Sequence, residues 1–315
     1  MKRLVLWSLQ IGLTIVVTWF ILDRVGVDIS QLRNLDRSVW QPNLIPFTMS
    51  CVVLIGGYIL SAGLWSWIVR DLGGPTLPLL TSARIFLVAN LGRYIPGKIW
   101  QIAGLAYLAK SEGVPVTVAT GAAILGQGVA LMAATLIGAS ALFGANDLWW
   151  ALGWPSSMVA LGLTFAIIGA VSIPKSFHAI VGAWFRLMRS EAPTGLRRRR
   201  NFGLRWLAFY VLNWGIYCVA FWLLYLSFGE WATFMQLGPA FAVSYVAGYL
   251  AIFAPAGAGI REGFLMVLLQ PVMATEAALV FAVITRLWTT TLELIPVIVL
   301  MVQQGTGQSR QRVIK

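Results

Sequence analysis

Between residues 4 and 302 the chain is written in long apolar blocks separated by short polar or basic ones. Six blocks, 4–22, 44–69, 114–143, 150–172, 206–228 and 276–302, reach the roughly 20 residues that a helix needs to cross a hydrocarbon core of about 30 Å. No period-2 alternation runs through them, so they predict helices and not the strands of a membrane barrel. Two further apolar stretches, 79–110 and 234–273, are interrupted near the middle, by Arg93-Tyr-Ile-Pro-Gly-Lys98 and by Ala254-Pro-Ala-Gly-Ala-Gly259. Proline removes a backbone donor and clashes with the preceding turn, and glycine turns without steric cost. The breaks centre on Pro96 and Gly97, and on Pro255, Gly257 and Gly259, with Gly263 just beyond. The limbs that follow, 99–110 and 261–273, hold 12 and 13 residues and span only about 20 Å, short of a crossing. The pattern predicts an all-α polytopic membrane protein with about six full spans and two re-entrant helical hairpins. Eight full spans would place the termini in the same way.

Composition agrees with lipid as the main solvent. Of 315 residues 59% are hydrophobic and 11% charged, whereas a soluble domain carries roughly 25% charged residues. The net charge of +12 lies mostly between and just beyond the apolar blocks, which is a topology signal and excludes a nucleic-acid-binding face. Lys2 and Arg3, the loop 173–205 with Arg197 to Arg200 against the single acid Glu191, and the tail with Arg310, Arg312 and Lys315 are expected on the cytoplasmic side. The Lys-Arg start resembles a signal head, but its apolar run is too long and no cleavage pattern follows, so it is expected to stay as a first span. Residues 1–305 are expected to form one transmembrane domain, with 306–315 a cytoplasmic tail. Trp40, Trp149, Trp150 and Trp231 read as interface anchors. Cys51 and Cys218 lie inside apolar helices and read as small core residues.

Pro96 precedes Gln127 by 31 positions, and Pro255 precedes Arg286 by the same 31. At the same register Gly104 falls on Gly263 and Ala119 on Ala278. The halves 44–143 and 206–302, joined by span 150–172 and the basic loop, therefore read as repeats of opposite sense. Inverted broken helices meeting at mid-membrane are a sequence pointer to a transporter-type binding site.

Few ionisable groups lie within the apolar stretches: Arg84, Arg93, Lys98, Arg261, Glu262, Arg286 and Glu293. A charge at mid-membrane costs about 2.5–3.5 kcal/mol on insertion scales, so each needs a partner or a wet cavity. Arg84 reads as an interfacial, snorkelling side chain. Arg93, Lys98, Arg261 and Glu262 cluster at the breaks; Glu262 reads equally as a salt bridge to Arg261 or Arg286 and as part of a transport site. Arg286 and Glu293 stand seven apart on one helix face, about 10 Å along it. Gln127 joins them through its repeat position. The basic excess, with helix N-termini at 97–101 and 259–263, suits an anion such as phosphate.

No nucleotide-binding loop, metal-ligand cluster or Ser-His-acid set is present, so no cofactor, metal or catalytic residue is expected. His178, the single histidine, lies in the basic loop and carries no assignment.

Asn90-Leu-Gly-Arg-Tyr-Ile-Pro-Gly-Lys98 and Pro255-Ala-Gly-Ala-Gly-Ile-Arg-Glu-Gly263 resemble the flippase-like lysylphosphatidylglycerol synthase transmembrane family over roughly residues 10–300. The resemblance implies a lipid-handling membrane domain, linked to charged phospholipids or polyprenyl-phosphate sugars, in a bacterial or archaeal cytoplasmic (inner) membrane. Aminoacyl transfer in two-part members resides in a soluble domain, and none follows residue 302, so synthesis of lysyl-lipid is not expected. The reading favours a translocase of an anionic lipid. The alternatives are a membrane subunit holding a polyprenyl-phosphate sugar and an ion-coupled anion transporter. Its partners are then membrane lipids, with a homo-oligomer or a partner enzyme left open.

Overall fold

The computed structural model describes residues 41–95, 99–140, 156–172, 202–229, 232–251 and 254–313, with scattered positions of 179–186; beyond Leu300 only the backbone is described. The expected first span 4–22, the residues Pro96, Gly97 and Lys98, the first part of span 150–172 and most of the basic loop lie outside them. All nine elements longer than a single turn are helices, and no strand occurs among the described residues. They are α1 (Leu44–Asp71), α2 (Leu79–Asn90), α3 (Ile99–Lys110), α4 (Val116–Ala139), α5 (Ser156–Ser172), α6 (Phe202–Leu226), α7 (Phe234–Leu250), α8 (Ile260–Leu269) and α9 (Thr275–Val313). Short 3-10 turns occupy Leu91–Tyr94 and Pro255–Gly257.

Among the described residues four helices, α1, α4, α6 and α9, are long and apolar enough to cross a membrane. Their outer faces are apolar: Val52 on α1 is 65% exposed and Leu287 on α9 is 62% exposed, as lipid-facing surfaces require. Inner faces use small residues, such as Ala119, Ala122, Gly126 and Ala133 on α4, which let backbones approach closely where the hydrophobic effect gives no drive. The helix α9 runs past residue 302 to Val313, so its backbone stays helical over residues 306–313 of the expected tail.

Helices α1 and α6 form the centre and run antiparallel. Near one end the Asn43 amide donates to the Ser227 carbonyl at 2.6 Å. At the middle the Tyr217 hydroxyl donates to the Gly57 carbonyl at 3.1 Å. At the other end the Trp206 indole donates to Asp71 at 3.0 Å. A β-carbon on Gly57 would lie 2.6 Å from the Tyr217 ring, so only glycine admits this crossing. On the α6 side, Phe221 stacks on Phe241 of α7 at 4.6 Å between ring centroids; Phe281 of α9 packs against it at 5.7 Å.

The short helices pack in pairs. The limbs α2 and α3, 12 residues each, lie antiparallel: Gln101 donates to Asn90 at 2.6 Å beside the turn, and Arg84 reaches Glu112 at 2.6 Å at the far end. Helix α8, 10 residues, folds back on α7 in the same way. The approach is tightest where Gly257, at φ +71, brings a would-be β-carbon within 2.6 Å of the Gly248 carbonyl. The two 3-10 turns touch one another.

Val116 and Thr275, the first residues of α4 and α9, are 159 positions apart. The same shift carries Leu44 to 203, one residue from the start of α6, and Ile99 to 258, two residues from the start of α8.

Candidate functional site

Where the paired limbs, α1, α4, α6 and α9 converge, the fold encloses a cavity of about 370 Å³. Arg93, Arg261, Arg286, Glu293 and Gln127, all singled out in the sequence, line it. Glu262 does not line it but pairs with Arg286, which does.

The two mid-span charges of α9, Arg286 and Glu293, are tied to different helix breaks. Glu293, 3% exposed at its side chain, pairs with Arg93 at 2.8 Å, and the Tyr94 hydroxyl donates to its other oxygen at 2.8 Å. Arg93 also turns back to donate to the Asn90 carbonyl at 3.2 Å, closing the end of α2. Two turns earlier, Arg286 donates to the Ala256 carbonyl at 3.0 Å and lies 3.5 Å from Glu262. Glu262 is held mainly by the start of α8, where one carboxylate oxygen accepts from the Gly259 amide at 2.6 Å. That contact caps an N-terminus whose amides otherwise lack partners. Arg286 and Glu293 thus share one cavity without pairing with each other.

Arg261 is different. It is buried, with 9% of its surface exposed, and has no carboxylate within ion-pair distance among the described residues. Its guanidinium lies over the rings of Phe241 at 5.0 Å and Tyr245 at 5.4 Å. Such contacts offset part of the cost of burying a cation, but not all of it. Gly248 makes room for it: a β-carbon there would stand 2.9 Å from that of Arg261. Arg84, by contrast, sits at the surface with Glu112, at side-chain exposures of 28% and 34%, away from the cavity.

The rest of the lining mixes aliphatic and small residues with an aromatic and amide-bearing group that sequence reasoning did not single out. Tyr217 meets Ser61 at 2.7 Å, and Asn213 donates to the same serine hydroxyl at 2.7 Å. Tyr58 donates to the Thr289 carbonyl at 3.2 Å. The Trp214 ring meets Tyr245 at 4.8 Å and Tyr217 at 5.6 Å. Polar tyrosines and asparagines in the middle of apolar spans were the available signal, since buried polar groups in lipid need partners. The arrangement can hold a charged group at the arginines. Among the described residues no three metal-ligating side chains come together.

On the α4 side the cavity wall includes Ile124, which is 37% exposed.

A comparison with curated proteins found no match. The four long apolar helices make the chain an integral membrane protein. Residues 6–296 match the family described as the lysylphosphatidylglycerol synthase TM region, and the chain belongs to that family.

Proposed function

We propose that this protein binds an anionic lipid headgroup in the central cavity and carries it across the membrane while the acyl or prenyl tails stay in lipid. The observation that carries this reading is Arg261, a buried guanidinium in the cavity lining with no carboxylate within ion-pair distance among the described residues. Arg93 and Arg286 already have acidic partners; Arg261 is left for the ligand. An unpaired buried charge costs several kcal/mol, so a phosphate that pairs with it is bound strongly. Glu293 and Glu262 hold the other two arginines when no ligand is present and can release them to it.

The topology that serves this reading has six spans and two re-entrant hairpins, with both termini cytoplasmic in the inner membrane. The lengths of α2, α3 and α8 support it, at about 18, 18 and 15 Å. The halves are read as an inverted repeat, supported by the 159-residue register of the helix starts and by the antiparallel crossing of α1 and α6. No chemical step is assigned to the chain, and lipids are its expected partners. The exposed Ile124 in the cavity wall favours entry from lipid over a closed path for a soluble anion.

Mass spectrometry of lipids retained by the purified protein tests the binding step. The wild-type protein should carry anionic lipids well above their share of the membrane. Arg261→Leu should lose that enrichment, and Arg84→Leu should keep it. Retention of lipids in membrane proportion by the wild type would overturn the reading.

A further inference from the structure

A groove of about 390 Å³ runs along α1 where the chain turns into α2, and it shares no lining residue with the central cavity. Most of its length is apolar, lined by Leu60, Gly63, Leu77, Leu79 and Phe209. Its polar positions lie toward the Asp71 end of α1. Arg70 and Ser66 line it there, one helical turn apart and so on the same face of the helix.

Neither polar group is met from within the protein. Arg70 is exposed and has no carboxylate within ion-pair distance among the described residues. Its chain neighbour Asp71 is engaged elsewhere: that side chain is 2% exposed, lies 3.5 Å from Arg205 and accepts from the Trp206 indole at 3.0 Å. Ser66 is 8% exposed, yet its hydroxyl has no hydrogen-bond partner among the described residues. A serine or threonine inside a helix ordinarily returns its proton to a carbonyl of the preceding turn, as Ser50, Thr135 and Ser244 do here. Ser66 does not.

From the end of α1 inward the groove thus offers a cation, then a hydroxyl donor about 6 Å deeper, then an apolar channel. A glycerophospholipid presents the matching order of phosphate, ester carbonyl and acyl chain. The lining holds no carboxylate to receive the ammonium of a zwitterionic head, so charge favours an anionic lipid.

We propose that this groove holds an anionic glycerophospholipid from the leaflet at the Asp71 end of α1, as a resident lipid and not as cargo. The phosphate sits at Arg70, an ester carbonyl accepts from Ser66, and one acyl chain lies along Leu60, Gly63 and Leu79.

Native mass spectrometry of the full-length protein in detergent, titrated with phosphatidylglycerol and with phosphatidylcholine, tests this. The titrations use an Arg261→Leu background, which disables the proposed cavity site. That protein should still bind phosphatidylglycerol, about tenfold tighter than phosphatidylcholine, as one charge-assisted hydrogen bond provides. Adding Arg70→Leu should abolish the preference. Adding Gly63→Leu should weaken both lipids, because the new side chain takes the place of the acyl chain. The fold has room for it, since its β-carbon would meet only the Leu79 side chain, at 3.5 Å. Gly56→Leu, whose β-carbon would meet nothing within 4 Å, should change neither. No binding of phosphatidylglycerol to the Arg261→Leu protein would overturn the groove site and leave the central cavity as the one place for an anionic lipid. A preference that survives Arg70→Leu, or binding that survives Gly63→Leu, would overturn it as well and give the groove to another segment of the chain.

Discussion

The rings of Tyr58 and Tyr217, 159 residues apart in the chain, meet at 5.7 Å where α1 crosses α6. In the proposed inverted repeat these two positions are equivalent, and equivalent residues meet only at the two-fold axis. The hydroxyls serve unequally. That of Tyr217 meets Ser61 and Gly57, whereas that of Tyr58 meets only the Thr289 carbonyl. Tyr217→Phe should therefore destabilise the protein by about 1–3 kcal/mol and Tyr58→Phe by less, read as midpoint shifts in detergent-solubilised thermal unfolding.

Sidedness tests the two hairpins. Lys110 ends α3 and Val272 follows α8, and the inverted arrangement puts them on opposite sides of the membrane. Cysteines placed there, in a background lacking Cys51 and Cys218, should label only from the cytoplasm near Lys110 and only from outside near Val272. The reverse at either place would remove the inverted topology.

The pair Arg93–Glu293 bridges the first helix break and α9 in a nearly dry setting. Glu293→Leu strands Arg93 and should cost about 3–5 kcal/mol. Combining it with Arg93→Leu should recover much of that loss, because both charges then leave together. A double-mutant cycle on unfolding midpoints would show this as strong coupling, and additive losses would show that the pair contributes little.

At the second break, Ala256 holds φ 50 and ψ 23, a left-handed conformation that costs a residue with a β-carbon roughly 1–2 kcal/mol. Its carbonyl is fixed by Arg286. Ala256→Gly should leave stability unchanged or raise it by up to about 1 kcal/mol. Gly257→Ala should be clearly destabilising, because its β-carbon would meet the Gly248 backbone at 2.6 Å. Thermal midpoints of the two variants should move in opposite directions or differ by several degrees.

Much of this architecture is legible in the sequence, because lipid forces it to be. The block 44–69 became α1, two residues longer at Asp71, and the limb 99–110 became α3 with the expected ends, since hydropathy sets span length and Pro/Gly pairs end helices. The second limb stops at Leu269 and not at 273, because the chain turns before α9, which apolar composition does not signal. Charge singled out Arg93, Arg261, Arg286 and Glu293 and offered Glu262 as a partner of Arg261 or Arg286, of which the structure has Arg286, but the other pairings were not legible. That Glu293 would take Arg93, and that Arg286 would reach Ala256, depends on how separate elements dock. The aromatic and amide wall was missed because tyrosine and asparagine in a span read as ordinary packing unless their pairings are known. The register that aligns Pro96 with Pro255 also aligns Tyr58 with Tyr217, a second sequence route to that part of the wall.

An anionic headgroup is proposed to cross by way of Arg261, and transbilayer movement in proteoliposomes measures that passage. Fluorescent phosphatidylglycerol and fluorescent phosphatidylcholine are run side by side with wild-type protein and Arg261→Leu. Phosphatidylglycerol should cross at least about tenfold faster than phosphatidylcholine, as one charge-assisted hydrogen bond provides, and Arg261→Leu should return it to the protein-free rate. Equal rates for the two lipids, or undiminished movement of phosphatidylglycerol in Arg261→Leu, would contradict the account.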